Sequence, residues 1–499
     1  MPVQLDLPPE DVSVRAALRS PRRLKTEILA GVVVALALIP EAISFSIIAG
    51  VDPRVGLFAS FTMAVTIAIV GGRPAMISAA TGAIALVVAP LSREYGLDYL
   101  IAAVLLAGVL QIVLSLLGVA KLMRFVPRSV MVGFVNALAI LIFTAQLPHL
   151  IDVPVLVYPM VAVGLLIMVL LPKVTTVVPA PLVAIVLLTA ATVLFALNVP
   201  NVGDEGELPS SLPSWLIPDV PFTMDTLSII APYALAMALV GLLESLMTAK
   251  LVDDITDTHS DKTREGWGQG IANLVTGLFG GMGGCAMIGQ TMINVKVSGA
   301  RTRISTFLAG VFLLILVVGL GDVVALIPMA ALVAVMIMVS VGTMDWHSIA
   351  PKTLRRMPRS ETTVMLATVA VTVATHNLAY GVIVGVITAM VLFARRVAHL
   401  TEVVDIAHPD ENTRVYAVRG ELFFASSNDL IYQFDYVGDP ENVVIDLSDS
   451  HIWDASTVGT LDAITTRYAA KGKTVTIVGL NAASSEQHVR LSGQMGAGH

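Results

Sequence analysis

Charge is scarce in this 499-residue chain, where Asp, Glu, Lys and Arg together make up 13%. Soluble globular domains carry roughly 25%, so most of the length does not read as a water-soluble fold. Cysteine is nearly absent. Cys285 stands alone, which excludes an intrachain disulfide and leaves the redox compartment open. There is no metal-ligand spacing, no P-loop and no nucleophile elbow, and His149 and His376 have no partner at ligand spacing. No cofactor, no metal and no enzymatic activity are expected. No cleavable signal peptide is expected either: residues 1–25 are polar and Pro-rich, with Arg15, Arg19, Arg22, Arg23 and Lys25 ahead of the first apolar run. The net charge of -7 says little, because the charges are segregated between loops.

What is present instead is apolar sequence, at 56% of the chain. Runs of membrane-spanning length recur up to about Arg395, which predicts a polytopic helical membrane protein. The segments read as 29–49, 55–71, 75–91, 99–118, 128–147, 155–171, 180–197, 226–249, 266–281, 285–298, 304–319, 322–341, 361–376 and 379–394. Alternate loops are basic, as a cytoplasmic N-terminus requires. They hold Arg73; Lys121, Arg124 and Arg128; Lys173; Lys262 and Arg264; Arg301 and Arg303; Lys352, Arg355, Arg356 and Arg359; and Arg395 with Arg396. The long opposite loop, 198–222, has four acidic residues and neither Lys nor Arg. Seven segments per half place the second half upside down relative to the first, an inverted repeat over about 26–200 and 223–398.

A short phrase marks both halves. Ala75-Met76-Ile77 leads into Ser78-Ala79-Ala80-Thr81-Gly82, and Ala286-Met287-Ile288 into Gly289-Gln290-Thr291-Met292. Each is followed by an apolar stretch only about ten residues long, too short to cross a bilayer. Interrupted segments at matching positions of two halves point to a midplane substrate site. A helix starting inside the membrane aims unpaired N–H groups and a positive dipole end at whatever lies there. Two such starts would hold an anion. Ala79, Ala80, Gly82 and Gly289 allow close approach, while Thr81, Gln290 and Thr291 add hydrogen-bonding groups. The plainer alternative is that small residues serve tight helix packing.

Two carboxylates lie inside apolar spans. Glu41 follows Pro40, with Phe45 one turn on; Glu244 has Thr248 one turn later. Such carboxylates usually face a cavity and are functional, and a proton could neutralise them. Glu244 with Thr248 could hold a proton or a sodium ion. For Glu41 the alternative is a helix-end carboxylate reaching water. Asn294 can satisfy freed backbone groups, Lys296 is expected to snorkel, and Arg301 and Arg303 are expected to set topology.

From about His399 the composition changes. Residues 415–418, 443–447 and 474–478 read as strands, and about 456–470 as a helix with Val458, Leu461, Ile464 and Thr465 on one face. That predicts a small α/β domain over 399–499, on the cytoplasmic side by the segment count.

These motifs resemble those of the sulfate permease (SulP) anion transporters. Ile39-Pro40-Glu41-Ala42-Ile43-Ser44-Phe45 is similar to the family's first-span signature, and Thr291-Met292-Ile293-Asn294 with Ser298-Gly299-Ala300-Arg301-Thr302 to its tenth. Val444-Ile445-Asp446-Leu447-Ser448 and Ile452-Trp453-Asp454-Ala455-Ser456 resemble a STAS domain. The resemblance implies fourteen segments in a seven-plus-seven inverted repeat, with a core domain (segments 1–4 and 8–11) and a gate domain (5–7 and 12–14). It also implies a homodimer in a bacterial inner membrane with both termini cytoplasmic. The pocket it implies comprises Glu41, Phe45, Ala80, Thr81, Gly82, Gly289, Gln290 and Thr291, with Glu244 as the coupling-ion carboxylate. Many animal members have Arg where Gln290 stands, so positive charge here is left to helix dipoles. Ser456 stands where phosphorylated antagonists carry their serine and is read here as a helix N-cap.

The reading is a proton-coupled secondary transporter of small anions, with a lean towards dicarboxylates over sulfate or bicarbonate. A sodium-coupled bicarbonate symporter, a nucleobase-type proton symporter of the same fold, and a channel or anchored signalling protein remain as alternatives. Nucleic acid is not expected as a partner.

Overall fold

The computed structural model describes residues 13–119, 126–174, 179–398 and 401–493. The predicted loop charges Lys121 and Arg124, and residues 1–12 of the N-terminal segment, lie outside these. The chain forms two compact units that divide between Val386 and Ile387.

The first unit is mainly helical, and the last of its helices extends past the division. A short helix, Val14–Arg19, precedes α1 (Pro21–Ala49), α2 (Pro53–Val70), α3 (Gly82–Tyr95) and α4 (Leu97–Leu116). There follow α5 (Arg128–Gln146), α6 (Val157–Val174) and α7 (Ala180–Leu194). The second half contributes α8 (Met224–Thr256), α9 (Lys262–Leu278), α10 (Ile288–Met292), α11 (Arg303–Gly319), α12 (Met329–Thr343), α13 (Arg359–Thr375) and α14 (Leu378–Ala398). Seven helices among the described residues are long and apolar enough to cross a membrane; α7, α11 and α12 are shorter apolar helices.

Local chemistry sets the helix ends. Pro21 and Pro53 open α1 and α2, where a missing N–H costs nothing. Gly50, at φ 76°, closes α1 by donating its N–H to Ile47 and Ser46 carbonyls. Inside α1, the Ser44 hydroxyl donates to the Pro40 carbonyl at 2.8 Å.

Apolar side chains gain little from leaving lipid for protein, so close backbone approach and buried hydrogen bonds hold such helices together. On α4 and α9 a Cβ at Gly108 would lie 2.8 Å from the Gly270 carbonyl, and one at Gly270 would lie 2.6 Å from the Gly108 carbonyl. Gly31 lets α1 approach Ser305 of α11, and Gly133 lets α5 approach Met365 and Thr368 of α13. These contacts sort the helices into two packed groups. One is α1–α4 with α8–α11; the other is α5–α7 with α12–α14.

The two interrupted segments meet inside the first group. Strand β1 (Ser78–Ala79) pairs antiparallel with β2 (Cys285–Ala286), Ser78 opposite Ala286 and Ala79 opposite Cys285. Met287 N–H adds a bond to the Ile77 carbonyl at 2.8 Å. The run before β2 turns through Gly280 and Gly283, at φ 72° and 78°. A Cβ on Gly284 would strike the Ala79 carbonyl oxygen, so only glycine permits the crossing. The repeated phrase does not mark equivalent positions, contrary to the sequence reading. Ala75-Met76-Ile77 precedes β1, whereas Ala286 lies in β2, Met287 is the N-cap and Ile288 already begins α10. The equivalence lies in the crossing, which pairs 78–79 with 285–286.

Basic residues read as loop charges are fixed in place. The Arg73 guanidinium bonds Asp253 at 2.9 Å, Thr258 at 2.7 Å and Thr256 at 2.6 Å. Arg301 donates to the Val295 and Ala300 carbonyls, and Arg303 to those of Ala68 and Gly71 at the end of α2. Lys296 is exposed.

The second unit contains a four-stranded sheet in the order β3 (Glu402–Asp410), β4 (Thr413–Leu422), β5 (Asn442–Ile452), β6 (Thr474–Val478). The β3–β4 pair is antiparallel and the other two pairs are parallel. Helices α15 (Phe424–Leu430), α16 (Ala455–Ala469) and α17 (Ala482–Leu491) complete it. Val458, Leu461, Ile464 and Tyr468 of α16 are fully buried in its own core. Ser456 is not the N-cap. Asp454 is, its carboxylate accepting the Thr457 N–H at 3.0 Å, and Ser456 sits exposed in the first turn. A carboxylate two residues ahead takes the capping bond first.

Candidate functional site

Thr81 is the N-cap of α3. Its Oγ1 accepts the Ile84 N–H at 3.4 Å, and Gly82 begins the helix. Gly82 faces the ring of Phe45, whose Cε1 would lie 2.9 Å from a Cβ there, with Ile142 of α5 next at 3.1 Å. Helix starts, Phe45 and the second helix group therefore meet at one place. Ala80 lies between crossing and cap, fully buried, its N–H donating to Ser60 Oγ at 3.2 Å.

On the other side of the crossing, α10 continues as a π-helical turn over Ile293–Val297. Gln290, in its first turn, donates from Nε2 to Glu41 Oε1 at 3.0 Å. Glu41 is half-buried in the later part of α1 and is not a free helix-end carboxylate. Gly289 is exposed, and nothing lies within 4 Å of where its Cβ would stand, so there is open space beside the Glu41–Gln290 pair. Thr291 is turned away from it. Its hydroxyl accepts the Ile77 N–H at 3.0 Å and donates to the Ile77 carbonyl at 3.4 Å, tying α10 to the segment before β1. Asn294 donates to the Ala75 carbonyl at 2.7 Å, satisfying freed backbone as expected.

Glu244 lies deeper, with 6% of its surface exposed. Cys285 Sγ donates to its Oε2 at 3.1 Å, and the same sulfur lies 3.1 Å from Thr81 Oγ1. A thiol thus bridges the cap of α3 to the buried carboxylate. The Thr248 hydroxyl donates to the Glu244 backbone carbonyl at 2.7 Å rather than to its carboxylate. No group of three or more His, Cys, Asp or Glu residues arranged for a metal is found among the described residues.

Three contributors are not evident from the sequence. Cys285 read only as a lone thiol. Asn273 holds Gly284 from both sides, accepting its N–H at 2.9 Å and donating to its carbonyl at 3.1 Å. Gln111 accepts from Asn273 at 2.9 Å, and its Nε2 is buried without a partner among the described residues. For Asn273 and Gln111 the signal is a polar amide inside an apolar or glycine-rich helix, the kind of residue that carries interhelical bonds.

Short pleated crossing, two helices starting from it and carboxylates behind them define a helical membrane transporter built from two intertwined halves. Residues 24–158 and 151–368 match the model of the sulfate permease family, and residues 405–493 that of the STAS domain. The chain belongs to the sulfate permease family. It is a multi-pass membrane anion transporter with an α/β STAS domain, not an enzyme.

Among its relatives is a Bacillus subtilis (strain 168) protein named "Putative sulfate transporter YbaR". It is 54% identical over 461 residues, covering 92% of this chain and 95% of that one. The bicarbonate transporter BicA of Picosynechococcus sp. is 26% identical over 485 residues, covering 86% and 84%. The murine Slc26a9 anion transporter, solved in the inward-facing state, shares the fold. Its TM-score is 0.80 at 16% identity, over 94% of this chain and 87% of that one.

Proposed function

We propose that this chain moves small anions together with protons, by displacement of the α1–α4 and α8–α11 group against the α5–α7 and α12–α14 group. The observation that carries the reading is the Glu41–Gln290 pair beside open space at one helix start, with Glu244 behind the other. Its substrate would lie between these starts, near Phe45 and Gly82. Both carboxylates sit in apolar helices, and no ion pair to either is present among the described residues. A buried carboxylate without a cationic partner calls for a neutralising cation. A proton suits Glu244 best, because one oxygen already holds a thiol and Thr248 is engaged with backbone.

The relatives' names bring sulfate and bicarbonate as candidate substrates, and small dicarboxylates stay beside them in this reading. The basic loops support cytoplasmic termini and a fourteen-segment inverted repeat.

The test is reconstitution in sealed liposomes with an internal pH dye, sodium absent, adding sulfate, bicarbonate, fumarate or succinate outside. Acidification by one of them, lost in Glu244→Gln, is expected. Isotope uptake without acidification, appearing only once sodium is restored, would replace the proton by sodium. No uptake of any anion would sink the transport reading.

A further inference from the structure

The acidic loop 198–222 leaves α7 of one helix group and enters α8 of the other, and it is fastened to both. Its attachment to the start of α12 is backbone. Val202 N–H donates to the Ile327 carbonyl and Met329 N–H to the Pro200 carbonyl, both at 2.9 Å, and Asn201 bridges Pro328. Val202, Ile327 and Met329 are buried.

The attachment to α2, in the other group, follows within five residues. Arg54 N–H donates to the Glu207 carbonyl at 3.1 Å, and Glu207 N–H to Asp52 Oδ1 at 3.4 Å. The Arg54 guanidinium pairs with the Glu207 carboxylate at 2.5 Å. Gly206 lies so close that a Cβ there would strike Asp52. The two charged side chains are 41% and 70% exposed, and an exposed pair contributes little. The attachments are therefore unequal, a buried one on α12 and a weaker one on α2.

Little chain separates them. Val202–Glu205 is one 3₁₀ turn, and Gly206 is already extended. Such a turn rises about 2.0 Å per residue against about 3.4 Å drawn out, so straightening its three steps yields about 4 Å. Packed elements that move past one another do so in steps of about one helix turn, or about 5.4 Å. A shift of that size exhausts the turn, and the weaker attachment opens first. Further along, Leu216 N–H donates to the Leu278 carbonyl at 2.8 Å and Asp219 N–H to Asp98 Oδ1 at 3.3 Å. The loop thus stays with the α2 group even when Arg54 lets go.

We propose that the Arg54–Glu207 contact is a catch. It holds the two helix groups in the arrangement described here and opens each time they shift, releasing residues 206–215 as slack. The inference rests on the displacement of the groups proposed above.

Two cysteine pairs test it in proteoliposomes, with the anions of the liposome experiment above. The native Cys285 is buried and does not compete. Arg54→Cys with Glu207→Cys locks the catch. Asn201→Cys with Pro328→Cys locks the attachment that stays closed. Mass spectrometry checks each disulfide, and initial isotope uptake is read before and after reduction. Oxidation of the first pair should lower uptake by about tenfold or more, reversibly, and that of the second by less than about twofold. Joining the first pair with a long, flexible bis-maleimide instead should leave uptake near its reduced level, because the slack is restored.

Full uptake with the first disulfide in place overturns the inference. So does a first pair that does not oxidise, since the contact is then not made. Equal loss from both disulfides overturns it too, because a stiffened loop and not a catch would be the cause. Each of these outcomes leaves the transporter reading standing. If the unaltered protein takes up no anion, that reading fails and the catch with it.

Discussion

Asp439 shows how much one carboxylate can hold. Fully buried in the STAS unit, it accepts from Tyr416 Oη at 2.9 Å and Tyr468 Oη at 2.5 Å, and pairs with Arg414 at 3.1 Å. Removing one partner of a buried pair leaves the other uncompensated, so Asp439→Ala should destabilise this unit by about 3–5 kcal/mol. Thermal unfolding of residues 399–499 would show it, and an unchanged midpoint would contradict it. Burial and the bond to Asp439 push the Tyr416 hydroxyl up from 10.0 to about 12. A raised value means the folded unit holds its proton longer than the unfolded chain. Stability is therefore complete below pH 10 and lost as pH rises through 12, and Tyr416→Phe should flatten that loss. None of this was legible in the sequence, where Asp439 is one loop acid among many. At the membrane site Glu41, Phe45, Gly82 and Gln290 were readable as neighbours, because polar or small residues inside apolar runs stand out. What Thr81, Thr248 and Thr291 bond to was not readable. A hydroxyl in a helix can turn to its own backbone, and spacing does not reveal the choice.

For the elements, length and hydrophobicity carry most of the information. The long helices follow the apolar runs closely, since about 20 residues are needed to cross a bilayer. The crossing of β1 and β2 was less visible: four strand residues give no periodicity, and the repeated phrase falls out of register with it. In the STAS unit, β3 and the helices α15 and α17 carry no strong pattern, and Asp454 displaced Ser456 as cap. The crossing and the open helix start can be separated by two glycine substitutions. Gly284→Ala drives a methyl into the Ala79 carbonyl and should lower stability in detergent by about 1–3 kcal/mol, with transport lost. Gly289→Ala meets nothing within 4 Å and, inside a helix, should be neutral or slightly stabilising while still altering transport. Similar melting temperatures for the two variants would show that the crossing tolerates the methyl.

At the scale of the whole molecule, each unit has its own core and its own buried polar groups. Deleting residues 400–499 should therefore leave residual anion uptake in liposomes. Complete loss, with the remaining protein still folded, would make the STAS domain part of the transport machinery rather than an accessory. The β1–β2 pairing also has a consequence for how the chain is made. Its two strands are contributed by opposite halves, so Ser78 and Ala79 have no partner until Cys285 and Ala286 have been synthesised and inserted. Until then the first half waits in the bilayer with polar backbone unpaired, a state that lipid penalises. Closure of so long a loop is slow compared with local helix formation. The proposed anion site would thus be completed only late in biogenesis, and a ribosome stalled before residue 285 would leave membrane helices without it.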